Sequence, residues 1–327
     1  MAQILCVQII HQAGMEILRK GSDLRIASNP SDETVVREGQ EAEALVVRIT
    51  KVSAGLIDSL PKLRAIGRNG VGVDNVDIDA ATRKGVVVIN VPGENSRSVA
   101  EHVIAVLLGL VKRLFTCDQH IREGRYTERD KLRGHEMYEK TLGVVGLGQI
   151  GRLVSAMALN GLGMKVIGYD PFLAPSAFPI GVERKATLPE LLREADAVTV
   201  HVPLTAETRN LFNKNTFALM KAGSVFINAA RGGIANEQDL REALLSGHLS
   251  GAGVDVFSSE PPQADNPLLS MPNVILTPHM AGVTQEAVTR TAITLANDVV
   301  RAVHGEKPRN CVNPEAWSKT AKMSGSS

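Results

Sequence analysis

The sequence predicts an α/β protein with two doubly wound parallel sheets, because two series of short apolar runs alternate with stretches of helical spacing. Runs of this kind, bounded by turn residues, are typical of parallel strands that helices cover on both faces. The first series of predicted strands lies at residues 4–10, 24–27, 44–49, 63–66 and 86–90. The second series lies at residues 141–145, 165–169, 197–200, 224–228, 251–256 and 274–276.

Helical patterns fill the intervals between strands, for example at residues 188–195 and 237–246. Between the two series, residues 96–123 predict one long helix that is apolar on most faces over residues 100–111. Such a helix must be covered on all sides, as a connector between domains, as a dimer interface or as a core helix. Another long helix is predicted at residues 284–304.

Two polar segments are expected to lie outside regular structure. Residues 122–140 predict an extended loop. Residues 317–327 are mostly small and polar, and they predict a disordered tail.

The composition limits the function classes. A chain of 327 residues with 44% hydrophobic residues is long enough for two domains with two cores. A net charge of +1 and only 3% aromatic residues argue against a nucleic-acid partner. The longest apolar run, residues 103–111, is too short to cross a membrane. Cys6, Cys117 and Cys311 are far apart and lack zinc-site spacing, so we expect reduced thiols, no metal site and a cytoplasmic location.

A glycine-rich turn follows the first strand of the second series and predicts a dinucleotide site. Gly146 permits the tight turn, Gly148 lets the backbone approach a pyrophosphate, and Gly151 lets the next helix pack on the strand. The N-terminus of that helix directs free N–H groups and its dipole at the diphosphate. Asp170 follows 19 residues after Gly151, at the end of the next strand, where it can bind both ribose hydroxyls. Its charge would repel a 2′-phosphate, so the pattern favours NAD over NADP.

Three chemically capable side chains follow later strands of the same series. Arg231 comes after residues 224–228, Glu260 after residues 251–256 and His279 after residues 274–276. Ligands of open parallel sheets bind beyond the carboxyl ends of the strands. Each residue alone has an ordinary interpretation, as a solvated loop side chain or a structural histidine. Together they can converge on one crevice.

The segments around these residues resemble the D-isomer-specific 2-hydroxyacid dehydrogenases. The motifs are Arg-Gly-Gly-Ile from Arg231, Glu-Pro-Pro from Glu260 and Pro-His-x-Ala-Gly around His279, all following Gly-Leu-Gly-x-Ile-Gly. The likeness covers about residues 1–316 and is strongest to the phosphoglycerate dehydrogenase and hydroxypyruvate reductase branch, through residues 69–77 and 95–102.

The resemblance implies two domains with different tasks. Residues 99–283 would form a Rossmann NAD-binding domain. Residues 1–98 with 284–316 would form a flavodoxin-like substrate domain that closes on it by a hinge motion. The resemblance also implies a homodimer, with Arg129 able to reach the partner's active site.

The resemblance further implies a role for each of the three side chains. His279 would take the hydroxyl proton while C2 gives its hydride to the nicotinamide. Glu260 would orient the imidazole and favour its protonated form. Arg231 would pair with the C1 carboxylate and polarise the C2 oxygen.

The remaining contacts are expected from the same resemblance. Besides Arg231 and His279, the cofactor would contact Val71, Gly146, Gly148, Gln149, Ile150, Gly151, Asp170, Val202, Pro203, Ala229, Ala230, Asp255, Ala281 and Gly282. Asp255 would accept a hydrogen bond from the carboxamide of the nicotinamide. Backbone N–H groups of Asn69, Gly70 and Val71 would bind the substrate carboxylate. Arg48 and Arg68 match basic positions of a phosphate pocket, which suggests a substrate with a second anionic group, although either arginine could simply be solvated.

Three alternatives remain open. Formate and phosphite dehydrogenases have similar folds, but formate dehydrogenases carry glutamine where Glu260 stands, so the sequence points away from them. A hydroxypyruvate or glyoxylate reductase fits the same motifs. An NAD-sensing corepressor built on this fold would retain all three side chains, although the compact length disfavours it. We also expect no C-terminal regulatory module, because the chain stops soon after Trp317.

Overall fold

The computed structural model describes residues 1–317, in which two parallel sheets form two separate units. One unit contains Met1–Asn95 and the chain from Thr284 onward, and the other contains Ser96–Val283. Both sheets consist of parallel strands joined by crossover helices. This architecture matches the doubly wound α/β prediction.

The first unit is a five-stranded sheet in the order β2-β1-β3-β4-β5, the strand order of flavodoxin-like folds. Its strands are β1 (Gln3–Cys6), β2 (Asp23–Ile26), β3 (Ala44–Val47), β4 (Ala65–Arg68) and β5 (Val87–Ile89). Its helices are α1 (Gln12–Gly21), α2 (Asp32–Glu38), α3 (Ala54–Asp58), α4 (Ile78–Lys84) and, from the end of the chain, α11 (Gln285–Val303). Alternate strand residues pack into two cores, with Ile4 and Cys6 against α1 and α11 and Leu5 on the opposite face.

The second unit is a seven-stranded sheet in the order β12-β11-β10-β9-β6-β7-β8. Its strands are β6 (Thr141–Val145), β7 (Lys165–Tyr169), β8 (Val182–Arg184), β9 (Ala197–Val200), β10 (Ser224–Asn228), β11 (Leu249–Val254) and β12 (Val274–Leu276). Its helices are α5 (Ser96–Val111), α6 (Leu114–Arg122), α7 (Gln149–Leu162), α8 (Leu188–Glu194), α9 (Lys214–Leu219) and α10 (Glu237–Leu245). The strand order reverses between β6 and β9, which is where Rossmann-type sheets bind their ligands.

Several predicted elements differ from the observed ones. The long helix predicted at residues 96–123 is wrong as a single helix: α5 ends at Val111, and α6 starts after Arg113, whose φ of 55° is incompatible with a continuous helix. The polar segment predicted as an extended loop contains a 3₁₀ helix, Tyr126–Leu132. Strand β8 was not predicted, because it is three residues long and only Val182 is buried. The strand predicted at residues 4–10 already ends at Cys6.

The tail predicted at residues 317–327 lies outside the described residues except for Trp317. That side chain packs against the core of the first unit. Within residues 1–317, no helix combines the length and hydrophobicity needed to span a membrane. The same residues contain no cluster of three or more His, Cys, Asp or Glu side chains arranged to hold a metal ion.

Candidate functional site

The glycine-rich turn joins β6 to α7 at the reversal of strand order. Gly146 has a φ of 90°, and a Cβ added there would lie 2.8 Å from the carbonyl oxygen of His201. A Cβ at Gly151 would lie 2.1 Å from the carbonyl oxygen of Gly146, so glycine allows α7 to pack directly on the turn. Gly148 is the N-cap residue of α7 but has no side chain to accept a capping hydrogen bond, and a Cβ there would meet nothing within 4 Å. The N-terminus of α7 is therefore open to a diphosphate.

Asp170 stands beside this turn at the end of β7. One carboxylate oxygen accepts a hydrogen bond from Leu147 N at 2.9 Å, and the other accepts from Phe172 N at 3.0 Å. These two bonds hold the partly exposed carboxylate at the edge of the turn, where a ribose of a dinucleotide would lie. The residues present therefore fit NAD.

The side chains that line the start of α7 pack within the same unit. Gln149 accepts a hydrogen bond from the hydroxyl of Ser96 at 3.2 Å, and Ile150 packs against the core beneath α5 and α7.

The segment after β9 lies on the other side of the reversal in strand order. Burial lowers the pKa of His201 to about 3, so the imidazole is neutral at physiological pH. Its Nε2 lies 3.0 Å from the hydroxyl of Thr199. Val202 contacts the turn at Gly146, and the carbonyl of Pro203 accepts a hydrogen bond from Thr208 at 2.6 Å. The predicted cofactor residue Val202 thus borders the dinucleotide turn, and Pro203 follows it directly in sequence.

Arg231 is positioned by Asn228, a buried residue at the end of β10. The Asn228 amide accepts from Ala230 N at 3.0 Å and donates to the carbonyl of Arg231 at 2.9 Å. The Arg231 guanidinium donates to the carbonyl of Ala230 at 2.8 Å. Gly232 then packs on the next loop, since a Cβ there would lie 1.8 Å from the carbonyl oxygen of Phe257. The loops after β10 and β11 therefore touch at their backbones.

Glu260 and His279 form a direct pair. Nδ1 of His279 lies 2.8 Å from Oε2 of Glu260, and Oε1 of Glu260 accepts from Phe257 N at 3.1 Å. The two side chains are 50% and 40% exposed, so the pair is accessible to a substrate. A neutral histidine bound through Nδ1–H presents Nε2 as a base, and the carboxylate stabilises the protonated ring.

Asp255 holds the loop that carries His279. Its carboxylate is 2% exposed and accepts from the Thr277 hydroxyl at 2.5 Å, Met280 N at 2.8 Å and Ala281 N at 2.9 Å. Its carbonyl oxygen accepts from His279 N at 2.7 Å. The structure therefore shows that Asp255 shapes this loop.

The loops after β10, β11 and β12 belong to adjacent strands, so their residues lie at the same edge of the sheet. The structure joins Glu260 directly to His279, and Asp255 to Ala281, and the Arg231 guanidinium donates to the carbonyl of Ala230 in its own loop. Ala229 and Ala281 are buried, and Gly282 is partly exposed.

The predicted substrate residues belong to the first unit. Two of the three N–H groups predicted to bind a carboxylate already donate to carbonyls, Asn69 N to Val47 at 2.8 Å and Gly70 N to Arg68 at 2.9 Å. Of the three N–H groups, we therefore propose only that of Val71 as a donor to the substrate carboxylate. Gly70 has a φ of 151°, and a Cβ there would lie 1.6 Å from Nη1 of Arg68, so the guanidinium lies directly over this glycine.

Arg48 follows β3 in an exposed loop that Gln8 holds. The amide oxygen of Gln8 accepts from three successive N–H groups, those of Arg48, Ile49 and Thr50, at 2.8–3.1 Å. Asn75 donates to the carbonyl of Thr50 at 2.7 Å. The backbone beneath Arg48 is thus fixed from two sides.

Sequence reasoning missed the residues that support the site. These are Gln8, His102, Asn228, Gly232 and Thr277. Asn228 and Thr277 are polar residues at the ends of predicted strands and could have been noticed there. Gln8 and His102 act through contacts across 40 and 175 positions of sequence, for which a single sequence carries no signal.

The comparisons with known proteins agree with this geometry. Residues 104–281 match the family model of the NAD-binding domain of D-isomer specific 2-hydroxyacid dehydrogenases. D-3-phosphoglycerate dehydrogenase of Archaeoglobus fulgidus is 43% identical over 95% of this chain and 59% of its own length. The human enzyme of the same name is 40% identical over 95% of this chain and 57% of its own length. The chain thus spans somewhat more than half the length of these relatives.

A solved structure shows the same fold. D-lactate dehydrogenase of Aquifex aeolicus, crystallised with NAD and lactic acid, superposes with a TM-score of 0.84 at 30% identity, over 95% of this chain and 99% of that chain.

Proposed function

The chain belongs to the D-isomer specific 2-hydroxyacid dehydrogenase family, and on this premise we propose that it catalyses hydride transfer between NAD and C2 of a D-2-hydroxy acid. The observation that carries the proposal is the 2.8 Å pair of His279 and Glu260 on the sheet that also carries the dinucleotide turn. The second unit would bind NAD and the first unit would bind the substrate.

In the proposed mechanism, bound NAD supplies the hydride acceptor, and the protein supplies proton transfer and charge stabilisation. Nε2 of His279 takes the hydroxyl proton during oxidation and returns it during reduction. Glu260 holds the ring through Nδ1 and stabilises the protonated form. A positioned acid–base of this kind contributes about 10²–10⁴-fold in rate. Arg231 pairs with the C1 carboxylate and stabilises the charge that develops on the C2 oxygen.

The contacts of the cofactor follow from the turn. Gly146, Gly148 and Gly151, with the backbone at Gln149 and Ile150, would hold the diphosphate at the N-terminus of α7. Asp170 would bind the adenosine ribose. The remaining residues of the proposed NAD contact set are Val71, Val202, Pro203, Ala229, Ala230, Asp255, Ala281 and Gly282.

The proposed substrate carries a second anionic group, as 3-phosphoglycerate does. Two observations support this choice. Relatives that are 40–43% identical are named D-3-phosphoglycerate dehydrogenase. Arg48 directly follows β3, Arg68 is the last residue of the neighbouring strand β4, and Gln8 accepts a hydrogen bond from the backbone N–H of Arg48. The N–H of Val71 would bind the C1 carboxylate.

The test is NADH oxidation by the purified protein with hydroxypyruvate, glyoxylate, pyruvate, phosphohydroxypyruvate and sulfopyruvate. We expect the highest kcat/KM for a doubly anionic acid. A preference for hydroxypyruvate or glyoxylate would overturn the substrate assignment but keep the reaction. If no 2-keto acid is reduced although NADH binds, the enzymatic proposal fails and an NAD-sensing role takes its place.

We further propose that the protein is a homodimer that associates through α6. None of the residues of α6 is buried, although Leu114, Phe115 and Ile121 are large and apolar. Tyr126 in the following 3₁₀ helix is exposed as well. Several large apolar side chains exposed within one short segment are typical of an interface. Light scattering should give the mass of a dimer for the protein and of a monomer for Phe115→Glu.

A cytoplasmic location is also part of the proposal. Cys6, Cys117 and Cys311 are free thiols, as is usual in a reducing compartment. Cell fractionation tests this assignment.

A further inference from the structure

We propose that Thr277 and His102 are positioning residues that fasten the loop of His279 to helix α5. This inference rests on the proposed function, because it concerns the residue that is proposed to transfer the proton. Neither side chain belongs to the NAD or substrate contacts described above. Both lie in the second unit, and the hydrogen bonds that connect them lead to Asp255 and from there to the His279 backbone.

The directions of the hydrogen bonds follow from the proton count. A carboxylate only accepts, so the Thr277 hydroxyl donates its single proton to Oδ1 of Asp255 at 2.5 Å. The same hydroxyl lies 3.2 Å from Nε2 of His102. Because its proton is already used, the hydroxyl must accept this second bond, and Nε2 of His102 must carry a hydrogen. A chain of donors therefore runs from His102 through Thr277 to Asp255.

This series of hydrogen bonds ends on the backbone of the loop that carries His279. Asp255 accepts from Met280 N at 2.8 Å and Ala281 N at 2.9 Å, and its carbonyl accepts from His279 N at 2.7 Å. His279 has a φ of 55°, a conformation that costs energy in any residue with a side chain. Such a conformation persists only when the surrounding bonds enforce it. Asp255 bonds to Thr277 before His279 and to Met280 and Ala281 after it, and these bonds hold His279 in its conformation.

Helix α5, which carries His102, packs closely against the sheet. A Cβ at Gly253 in β11 would lie 2.2 Å from Cγ1 of Val106, and a Cβ at Gly109 would lie 3.2 Å from Cδ1 of Ile275 in β12. The helix is therefore in direct contact with the two strands that lead to the Glu260 and His279 loops. His102 precedes Val106 by one helical turn and lies on the same side of α5.

Loss of the Thr277 hydroxyl would remove one of the two hydrogen bonds to Oδ1 of Asp255, leaving only that from Met280 N, and would deprive the N–H of His102 of its acceptor. The loop could then relax from its constrained conformation and carry the imidazole away from Glu260. Displacement of a catalytic group by about 1 Å can lower the rate about 100-fold. The effect should fall mainly on kcat, because the glycine turn and Asp170, which would hold the diphosphate and the ribose, are not part of this network, although Asp255 and Ala281 of the proposed NAD contacts are.

The experiment compares Thr277→Val, Thr277→Ser, His102→Leu and the double variant Thr277→Val/His102→Leu. The matched control is Thr289→Val, which removes a threonine hydroxyl 3.4 Å from Nε2 of His11 in the first unit. For each variant we would measure kcat and KM for the preferred 2-keto acid, the Kd of NADH by fluorescence, and Tm.

We expect Thr277→Val and His102→Leu each to lower kcat roughly 10–100-fold with the Kd of NADH unchanged. Thr277→Ser should restore kcat to within about threefold, and the double variant should be no slower than the slower single variant, because the residues act through one network. Wild-type kcat in Thr277→Val would overturn the proposal. So would a loss that Thr277→Ser does not rescue, or one that the Thr289→Val control reproduces.

A second measurement does not depend on turnover. In ¹⁵N-histidine-labelled protein without substrate, the Nδ1 proton of His279 in its bond to Glu260 should give a downfield resonance. Glu260→Gln should shift the resonance and thereby assign it. If the resonance weakens in Thr277→Val and recovers in Thr277→Ser, the positioning role is supported even if no 2-keto acid is reduced. If the resonance is unchanged in Thr277→Val, the positioning role is overturned.

Discussion

Nδ1 of His279 lies 2.8 Å from Oε2 of Glu260, although the two residues stand on loops that follow different strands. The backbone supports both partners, since Glu260 also accepts from Phe257 N and His279 N donates to Asp255. The pair therefore results from the parallel arrangement of β11 and β12, and it is the feature on which the catalytic predictions depend.

The first prediction concerns the pair itself. His279→Ala should lower kcat about 10²–10⁴-fold, because the proton acceptor is lost, while the Kd of NADH stays unchanged. Glu260→Gln should lower kcat less, by about tenfold, since the amide still accepts a hydrogen bond but cannot stabilise a protonated ring by its charge. Steady-state rates and NADH fluorescence titrations measure both effects. Exposed Glu242 on α10 provides the control Glu242→Gln, which should behave as wild type.

The second prediction separates two glycines of the dinucleotide turn. Gly148→Ala should weaken NADH binding with Tm unchanged, because its Cβ would enter open space on the side of the diphosphate. Gly151→Ala should lower stability by about 1–3 kcal/mol, because its Cβ would lie 2.1 Å from the carbonyl oxygen of Gly146.

Gly161 on the same helix supplies the control, since a Cβ there meets nothing within 4 Å. Gly161→Ala should raise stability by about 1 kcal/mol through helix propensity and leave NADH binding unchanged. Calorimetry measures the stabilities and NADH titration measures the affinities. If Gly148→Ala bound NADH as tightly as Gly161→Ala, Gly148 would not lie at the diphosphate.

The third prediction concerns the choice of cofactor. Asp170→Asn should raise the ratio of activity with NADPH to activity with NADH by about tenfold, because a charge that repels the 2′-phosphate is removed. The amide oxygen can still accept from one of the two N–H groups that Asp170 binds, Leu147 N or Phe172 N. Rates with each cofactor at equal substrate concentration give the ratio. An unchanged ratio would show that another group sets the preference.

The fourth prediction concerns the pH dependence of stability. Burial holds the pKa of His201 at about 3, against 6.5 for the free side chain. Between these values the unfolded chain binds a proton that the folded protein does not, so the free energy of unfolding falls as the pH falls below about 6.5. In His201→Gln this contribution is absent, and Tm should drop less between pH 7 and pH 5 than in the wild type. Equal drops in the two proteins would contradict the assigned burial effect.

Much of the architecture could be predicted from the sequence because its signals are local. Alternation of apolar strands with helical segments gave the two parallel sheets, and strands β6, β7, β9, β10 and β12 have the predicted bounds. The short strand β8 and the break at Arg113 could not be predicted. Strand β8 pairs with β7 although only one of its residues is buried. The left-handed backbone conformation of Arg113 does not alter the spacing of apolar residues, so the sequence pattern cannot reveal it.

By itself, the sequence determined which residues could do chemistry. The glycine spacing, Asp170 and the motifs around Arg231, Glu260 and His279 are properties of short segments, and they were enough to predict NAD and the family. The tertiary structure alone decided how these residues are held. The bonds from His102 through Thr277 to Asp255, and from Gln8 to the Arg48 loop, join residues distant in sequence. Such contacts form only when the sheets assemble, because assembly brings the carboxyl ends of different strands to one edge.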